Sequence, residues 1–193
     1  MRKLTNGDIK DLREYERERE AFRAEIIALK KKRRIAVGDI MTMVFENTAT
    51  MRFQIQEMAR AERMLRDEQI AHEIETYNAL IPETGELSST LFIELDDEEA
   101  LAYWLPRLTK VQDYLAMVVN DEVVKAREED AARLTREESI TTTVHYVKFT
   151  FTPEQQQAFG DGPVRIVVDH PEYQADVTLT EEQRDELVSD FAA

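Results

Sequence analysis

The chain has 193 residues, a net charge of −15 at pH 7, no cysteine and a hydrophobic fraction of 42%. The lack of cysteine excludes disulfides, thiol nucleophiles and cysteine-ligated zinc or iron–sulfur centres. No apolar run approaches the roughly 18 residues of a membrane span, and no apolar segment follows the basic N-terminus as in a signal peptide. We therefore expect a cytoplasmic protein without a membrane span, built as one α+β domain over residues 1–193.

The charge is unevenly distributed along the chain. Residues 1–34 contain 12 Lys or Arg against 7 Asp or Glu, whereas the rest of the chain is strongly acidic. An acidic field opposes a phosphate backbone, so a nucleic-acid partner is not expected. The run Lys30–Arg34 has two interpretations: cations that complement the C-terminal end of a helix dipole, or a contact for an anion or nucleic acid. The first is favoured because no second basic cluster accompanies the run.

The N-terminal segment has the periodicity of an amphipathic helix. Apolar residues three, four or seven positions apart predict this helix from about Asp8 to Arg34, with Thr5 or Asn6 as its cap. The apolar stripe consists of Leu12, Tyr15, Phe22, Ile26 and Leu29. Such a helix, within residues 1–34, can pack on its own domain, on a partner or on a second copy of the chain.

The remaining sequence predicts strands and helices in alternation. Residues 35–45 favour one or two short strands around Gly38-Asp39, covered on both faces, and a second long helix follows from Thr48 or Thr50 to about Asn78. Further elements are a strand at 87–95, a helix capped by Asp96, a hairpin turning at Asn120-Asp121, a charged helical segment at Glu129–Arg136 and a strand at 140–151. A capping box at Thr152 then begins a helix closed by Gly160, and a hairpin around Asp169-His170-Pro171 follows. A second capping box at Thr180 begins a helix to Phe191. Hairpins favour an antiparallel sheet. The expected fold is α+β, a largely antiparallel sheet with two long helices and several short helices packed on it.

The second helix contains charged residues that its periodicity places inside. Its main apolar face consists of Met51, Ile55, Met58 and Leu65. Glu62 falls in the middle of this face, with Arg66 one turn on as a natural partner, and a second apolar stripe contains Glu57 and Arg60. These groups form either an internal salt-bridge network or a site for an anion, a metal or acid–base chemistry. The network is the favoured interpretation.

The histidines give three further candidates. Alternation places His145 on the more apolar face of its strand. It is either a core histidine or a ligand or general base. The functional interpretation is favoured if His145 meets Glu57 or Glu62 in the fold. Glu68 and His72 lie one helical turn apart, as in half of a metal site, although a solvated face is favoured. His170 is explained by the chemistry of its hairpin turn.

Six segments along nearly the whole chain form more specific patterns. They are Arg34-Ile35-Ala36-Val37-Gly38, Phe45-Glu46-Asn47, Gln54-Ile55-Gln56-Glu57-Met58 with Arg60 and Glu62, Tyr77-Asn78-Ala79-Leu80-Ile81-Pro82, Val144-His145-Tyr146 and Asp169-His170-Pro171-Glu172-Tyr173. With these segments the chain resembles an uncharacterised bacterial family of unknown function. Genes of that family are often found beside rubrerythrin-like di-iron proteins and iron–sulfur oxidoreductases. The resemblance implies a role near peroxide defence or anaerobic redox chemistry. It provides no activity or catalytic residue to carry over to this chain, and the cofactor is unknown.

The common nucleotide-binding, zinc-protease and hydrolase motifs do not occur in the sequence. We therefore expect a non-catalytic accessory or binding protein of a bacterial redox or oxidative-stress system. It is expected to self-associate through its long helices and to contact a redox protein. The alternative is an enzyme, or a metal- or small-ligand-binding protein, with a site built from Glu57, Arg60, Glu62 and His145.

Overall fold

The computed structural model describes residues 1–129 and 140–191. Its helices are α1 (Leu12–Arg33), α2 (Thr48–Ala61), α3 (Asp67–Asn78), α4 (Glu98–Trp104), α5 (Pro153–Asp161) and α6 (Glu181–Val188). Its strands are β1 (Arg34–Val37), β2 (Met41–Glu46), β3 (Glu86–Ile93), β4 (Leu115–Val119), β5 (Glu122–Lys125), β6 (Arg127–Glu128), β7 (Val144–Thr150), β8 (Val164–His170) and β9 (Tyr173–Thr178). The helix predicted for Glu129–Arg136 falls almost entirely outside the described residues.

The strands form two antiparallel sheets. The first sheet has the order β1-β2-β3-β7-β6, and the second has the order β5-β4-β8-β9. The α+β class and the antiparallel pairing are confirmed, although one sheet was expected. The hairpin between β4 and β5 turns at Asn120-Asp121 as predicted, because both residues adopt positive φ angles of 46° and 70° that suit a tight hairpin turn.

The main core lies between the two sheets. Alternate residues of β2 and β3 pair across the first sheet, as Met43 does with Leu91, and their side chains pack with residues of the second sheet such as Met117 and Ile166. Phe159 of α5 also joins this core. Because successive side chains of a strand point to opposite faces, one face of the first sheet packs against the second sheet. The opposite face of the first sheet needs a separate cover.

Helices α1, α2 and α3 provide that cover. Every residue of β2 is buried, which confirms the prediction of a strand covered on both faces. A second apolar cluster forms beneath the helices from Leu4, Met51, Ile55, Ile74, Leu80 and Ile81, with Tyr77 and Tyr146 packed against it. Within the described residues, no helix is both long and apolar enough to cross a membrane.

Helix α1 begins later than predicted and ends in a buried arginine. Asp11, not Thr5 or Asn6, caps it by accepting hydrogen bonds from the backbone N–H groups of residues 13 and 14, and the predicted start near Asp8 is instead a separate 3-10 turn. At the other end Arg33 is fully buried and donates to the Phe45 carbonyl at 2.8 Å and to Asp190. The run Lys30–Arg34 is therefore not a continuous cationic surface.

The predicted second long helix is wrong in its length, because it breaks into α2 and α3. The break is a Schellman motif: the N–H of Met64 binds the Ala59 carbonyl at 2.9 Å and the N–H of Arg63 binds the Arg60 carbonyl at 3.3 Å. Arg63 has a left-handed φ of 52°, and Met64 is buried. Arginine occupies the position at which glycine is usual, so the end of the helix could not be recognised from the sequence.

Three smaller boundaries also differ from the predictions. Asp97, not Asp96, caps α4 by accepting from the N–H of Ala100. Helix α5 continues through Gly160 to Asp161, although its predicted capping box at Thr152 is present. Strand β7 begins at Val144, four residues after the predicted start.

Candidate functional site

Glu57 lies at the interface of α1 and α2 and is held there by two residues of α1. Its Oε1 accepts from the Tyr15 hydroxyl at 2.6 Å and from Arg19 Nε at 2.8 Å, and its Oε2 accepts from Arg19 Nη2 at 2.7 Å. These Arg19 hydrogen bonds are the main reason that the pKa of Glu57 is lowered, with burial acting in the opposite direction. Glu57 therefore belongs to a partly exposed network between α1 and α2, whose partners Tyr15 and Arg19 were not predicted from the sequence.

Arg60 and Glu62 lie outside the buried part of α2. Arg60 is exposed and pairs with exposed Glu16 of α1, although its charge also contributes to the lowered pKa of Glu57. Glu62 is the C-terminal cap of α2 and is exposed, and Leu65, predicted on the buried face, is 82% exposed. The expectation that Glu62 sits mid-helix in a buried face beside Arg66 is wrong, because the helix ends at Ala61.

His145 is buried as predicted, but in a different part of the fold from Glu57. Its Nε2 lies 2.9 Å from the Thr141 hydroxyl and 3.1 Å from the Thr142 carbonyl, and its Nδ1 lies 3.7 Å from Glu128. Burial lowers the pKa of His145, while Glu128 acts in the opposite direction. These contacts hold His145 beside β6, whereas the contacts of Glu57 hold it between α1 and α2.

The other two candidate sites have ordinary surroundings. Glu68 and His72 are both exposed on α3, and the described residues contain no group of three or more His, Asp or Glu side chains arranged to hold a metal ion. His170 is buried more deeply than a turn predicts. Its Nδ1 accepts from the N–H of Glu172 at 3.2 Å and its Nε2 lies 3.2 Å from the Thr109 carbonyl, so it fastens the β8–β9 hairpin.

A polar stripe on the helix-covered face of the first sheet was not predicted from the sequence. It consists of Thr42, Glu46, Ser88, Thr90 and Lys148, each at most 5% exposed. These residues alternate with the core positions of β2, β3 and β7, so they point toward the helices. Buried polar groups are costly unless they are hydrogen-bonded, which makes each partner in this stripe informative.

Glu46 is the member of this stripe with an unsatisfied atom. It is 4% exposed, and its Oε1 accepts from the Thr90 hydroxyl at 2.9 Å. Its Oε2 is buried and has no hydrogen-bond partner among the described residues. The charge of nearby Lys148 is directed elsewhere, because its Nζ lies 3.1 Å from Glu129 and 3.8 Å from Glu86.

Two tyrosines complete the surroundings of Glu46. Tyr146 lies opposite Thr90 in the β3–β7 register. Burial is the main cause of the raised pKa of Tyr146, and the charges of Tyr77 and Glu46 raise it further. Tyr77 of α3 and Tyr146 pack against the same apolar cluster, and Thr90, which lies opposite Tyr146, donates its hydrogen bond to Glu46. We call Glu46, Thr90, Tyr146 and Tyr77 the Glu46 cluster.

One sequence signal for this cluster was available. Glu46 directly follows Phe45, the last residue of the predicted strand, and the other residues of β2 are Met, Thr, Val and Phe. A carboxylate in a strand that is covered on both faces must be buried on one of them. The pairing of Glu46 with Thr90, 44 residues away, was not visible in the sequence.

The fold and the cluster define an α+β protein with two packed antiparallel sheets and a buried polar stripe beneath three helices. A family model matches residues 3–191, and the chain belongs to this family, which is described as a protein of unknown function (DUF3501). The resemblance to a family of unknown function is thereby confirmed.

The fold also occurs in a solved structure. The chain is similar to a protein from Burkholderia pseudomallei K96243 that is described as a novel protein of unknown function. The two are 29% identical and superpose with a TM-score of 0.90, over 98% of this chain and 99% of the other. A comparison with curated proteins found no match.

Proposed function

We propose that this protein is a non-catalytic binding protein whose small ligand occupies the Glu46 cluster. The observation that supports this is the Oε2 atom of Glu46, which is buried without a hydrogen-bond partner among the described residues. An unsatisfied buried carboxylate oxygen costs about 1–3 kcal/mol or more. A ligand that donates a hydrogen bond to this oxygen removes that cost, so binding and stability are coupled.

The chemistry of the cluster favours a small organic cation with N–H donors. The carboxyl group of Glu46 supplies a free acceptor, and a hydrogen bond from a charged N–H donor is among the stronger ones. The rings of Tyr77 and Tyr146 add aromatic surface, which attracts cations. The net charge of −15 raises the local concentration of cations around the protein.

Thermal unfolding with a defined probe tests this proposal. Putrescine, a linear diammonium, is expected to raise the Tm of the wild-type protein, whereas succinate, which has the same chain length and the opposite charge, leaves it unchanged. The Glu46→Gln variant is expected to lose the putrescine response. Glu62→Gln is the matched control, because it removes the same charge from an exposed helix end.

Two outcomes would reject the ligand site. The first is an equal putrescine response in wild type and Glu46→Gln, which places binding elsewhere. The second is an equal loss of response in Glu62→Gln, which means that putrescine only screens the acidic surface. A ligand site combining Glu57, Arg60, Glu62 and His145 stays a prediction, but their separate contacts favour the Glu46 cluster over it.

We further propose that the protein acts in the cytoplasm as an accessory component of a bacterial redox or oxidative-stress system, as a homo-oligomer that contacts a redox protein. The resemblance supports this through the neighbouring genes of its family, and the acidic composition suits a partner with a basic surface. Light scattering after size-exclusion chromatography is expected to give an oligomer, and a pull-down from a native bacterial extract is expected to retain an iron-containing protein. A monomer that retains no such protein would reject the proposal.

A further inference from the structure

We infer that α1 pairs in antiparallel orientation with α1 of a second copy of the chain. This rests on the proposed self-association and specifies its surface. The surface, here called the outer face of α1, consists of Arg17, Glu20, Ala24, Ile27 and Lys31. All five residues are exposed, and Ile27 is 52% exposed although it is a large apolar side chain.

The spacing of the outer face is that of a coiled-coil seam. Its residues follow one another at intervals of three, four, three and four positions, as a and d positions do. The apolar residues Ala24 and Ile27 lie at the centre, and the charged residues Arg17, Glu20 and Lys31 lie on either side of them. The opposite side of α1 packs against its own chain, where Tyr15 and Ile26 are buried. The buried side of α1 therefore packs on its own chain, and the outer face of α1 is exposed to solvent.

The charges on the outer face select the orientation of the partner. In an antiparallel pair, Ile27 lies opposite Ala24 of the second copy and Glu20 lies opposite Lys31 of the second copy. The two-fold symmetry repeats both contacts, so two ion pairs flank a central apolar contact. A parallel pair instead places Glu20 against Glu20 and Lys31 against Lys31, which is repulsive.

Three of the four other cations at and just beyond the end of α1 are paired within their own chain, among them Arg34, which this register places opposite Arg17 of the second copy. Lys32 lies 3.4 Å from Glu182, Arg33 is buried against Asp190, and Arg34 pairs with Glu94. These three charges are thus directed to acids of their own chain. The contact is confined to one helix of about 33 Å, so we expect a small interface and a dimer that dissociates on dilution.

The experiment is light scattering after size-exclusion chromatography at several protein concentrations. The wild-type protein is expected to be dimeric at high concentration and to dissociate on dilution, and Ile27→Glu is expected to be monomeric throughout. Val123→Glu is the matched control, because Val123 is 59% exposed on β5, an edge strand of the second sheet, whereas α1 covers the first sheet. Circular dichroism checks that both variants keep the wild-type helix content and Tm.

Orientation is tested by charge exchange and by crosslinking. Glu20→Lys is expected to weaken the dimer at least tenfold, and the double variant Glu20→Lys with Lys31→Glu is expected to restore it. Because the chain has no cysteine, single cysteines report contacts directly. A mixture of Ala24→Cys and Ile27→Cys proteins is expected to form an intermolecular disulfide faster than either protein alone.

The outcomes separate this inference from the proposal beneath it. A wild-type protein that is monomeric at every concentration rejects self-association itself. A dimer that survives Ile27→Glu, or that Val123→Glu disrupts equally, rejects only the α1 surface. Crosslinking that is fastest for Ala24→Cys alone rejects the antiparallel register of Ala24 and Ile27 but keeps the surface.

Discussion

Arg19 of α1 holds Glu57 of α2 through two hydrogen bonds of 2.8 and 2.7 Å, one to each carboxylate oxygen. Tyr15, one turn before Arg19, donates a third hydrogen bond of 2.6 Å to the same carboxylate. The pair is partly exposed, with side-chain accessibilities of 25% and 26%. The two helices that cover the first sheet are therefore joined to each other by a charge-assisted contact as well as by apolar packing.

Replacing Glu57 with Gln is expected to destabilise the protein by about 1 kcal/mol, because the charge is lost from a bidentate contact that is only partly shielded from water. Urea denaturation measures the change. Arg60→Gln is the control, since its pairing with Glu16 is exposed and is expected to contribute less than about 0.5 kcal/mol. Equal effects of the two substitutions would contradict a special role for the Glu57 contact.

The predicted second long helix was only partly correct. Periodicity correctly predicted helical structure on both sides of Glu62 and the burial of Ile55. Periodicity did not predict the break, because Arg63 adopts the left-handed conformation that glycine usually adopts at the end of a helix. The error moved Glu62 from a buried face to a helix end, and with it one of the predicted site residues.

The polar stripe was not predicted because its contacts join residues that are distant in the sequence. Local patterns predicted the strands and the capping boxes at Thr152 and Thr180, because these depend on neighbouring residues. Which polar side chain meets which depends on sheet order and register. Glu46 and Thr90 meet across β2 and β3, and no local pattern encodes that pairing.

Arg63→Gly is expected to stabilise the protein by about 0.5–1 kcal/mol. Glycine adopts the left-handed conformation without the steric cost that arginine bears at a φ of 52°. Arg60→Gly, three residues earlier and inside α2, is expected to destabilise by about 1 kcal/mol, because glycine is a poor helix former. Thermal unfolding of both variants tests the Schellman break, and a destabilising Arg63→Gly would argue against it.

Arg33→Met is expected to destabilise the protein by about 3–5 kcal/mol. The substitution leaves the carboxylate of Asp190, which is 1% exposed, as an uncompensated buried charge. The double variant Arg33→Met with Asp190→Leu is expected to recover part of the loss, because the buried charge of Asp190 is then removed as well. The rest is not recovered, because Glu186 and the carbonyls of Phe45 and Glu46 still lack their contacts with Arg33. The control is Arg34→Met, whose partner Glu94 is about half exposed, and its expected cost is below about 1 kcal/mol.

Gly38→Ala is expected to destabilise the protein by about 2–4 kcal/mol. Gly38 has a φ of 73°, and a Cβ atom there would lie 2.1 Å from the Tyr173 hydroxyl, which donates to the Val37 carbonyl at 2.9 Å. The control is Gly160→Ala, where a Cβ would make an ordinary 3.9 Å contact with Val188. Since Gly160 is helical, this change is expected to stabilise by about 0.5–1 kcal/mol.

His145 is expected to make stability depend on pH below its ordinary pKa of 6.5. Burial lowers the pKa of His145 in the folded state, so below pH 6.5 the unfolded chain takes up a proton that the folded protein resists. The contribution of neutral His145 is therefore complete above pH 6.5 and falls as the pH decreases, by at most about 1.4 kcal/mol per pH unit.

Urea denaturation between pH 5 and 7 measures this dependence. His145→Gln is expected to have a shallower loss of stability than wild type as the pH falls, whereas His72→Gln, at an exposed position on α3, is expected to parallel wild type. The test distinguishes the effect of burial, which lowers the pKa of His145, from the effect of Glu128, which acts to raise it. If the Glu128 carboxylate outweighed burial, His145 would charge more readily in the folded state, and wild type would gain stability relative to His145→Gln as the pH fell.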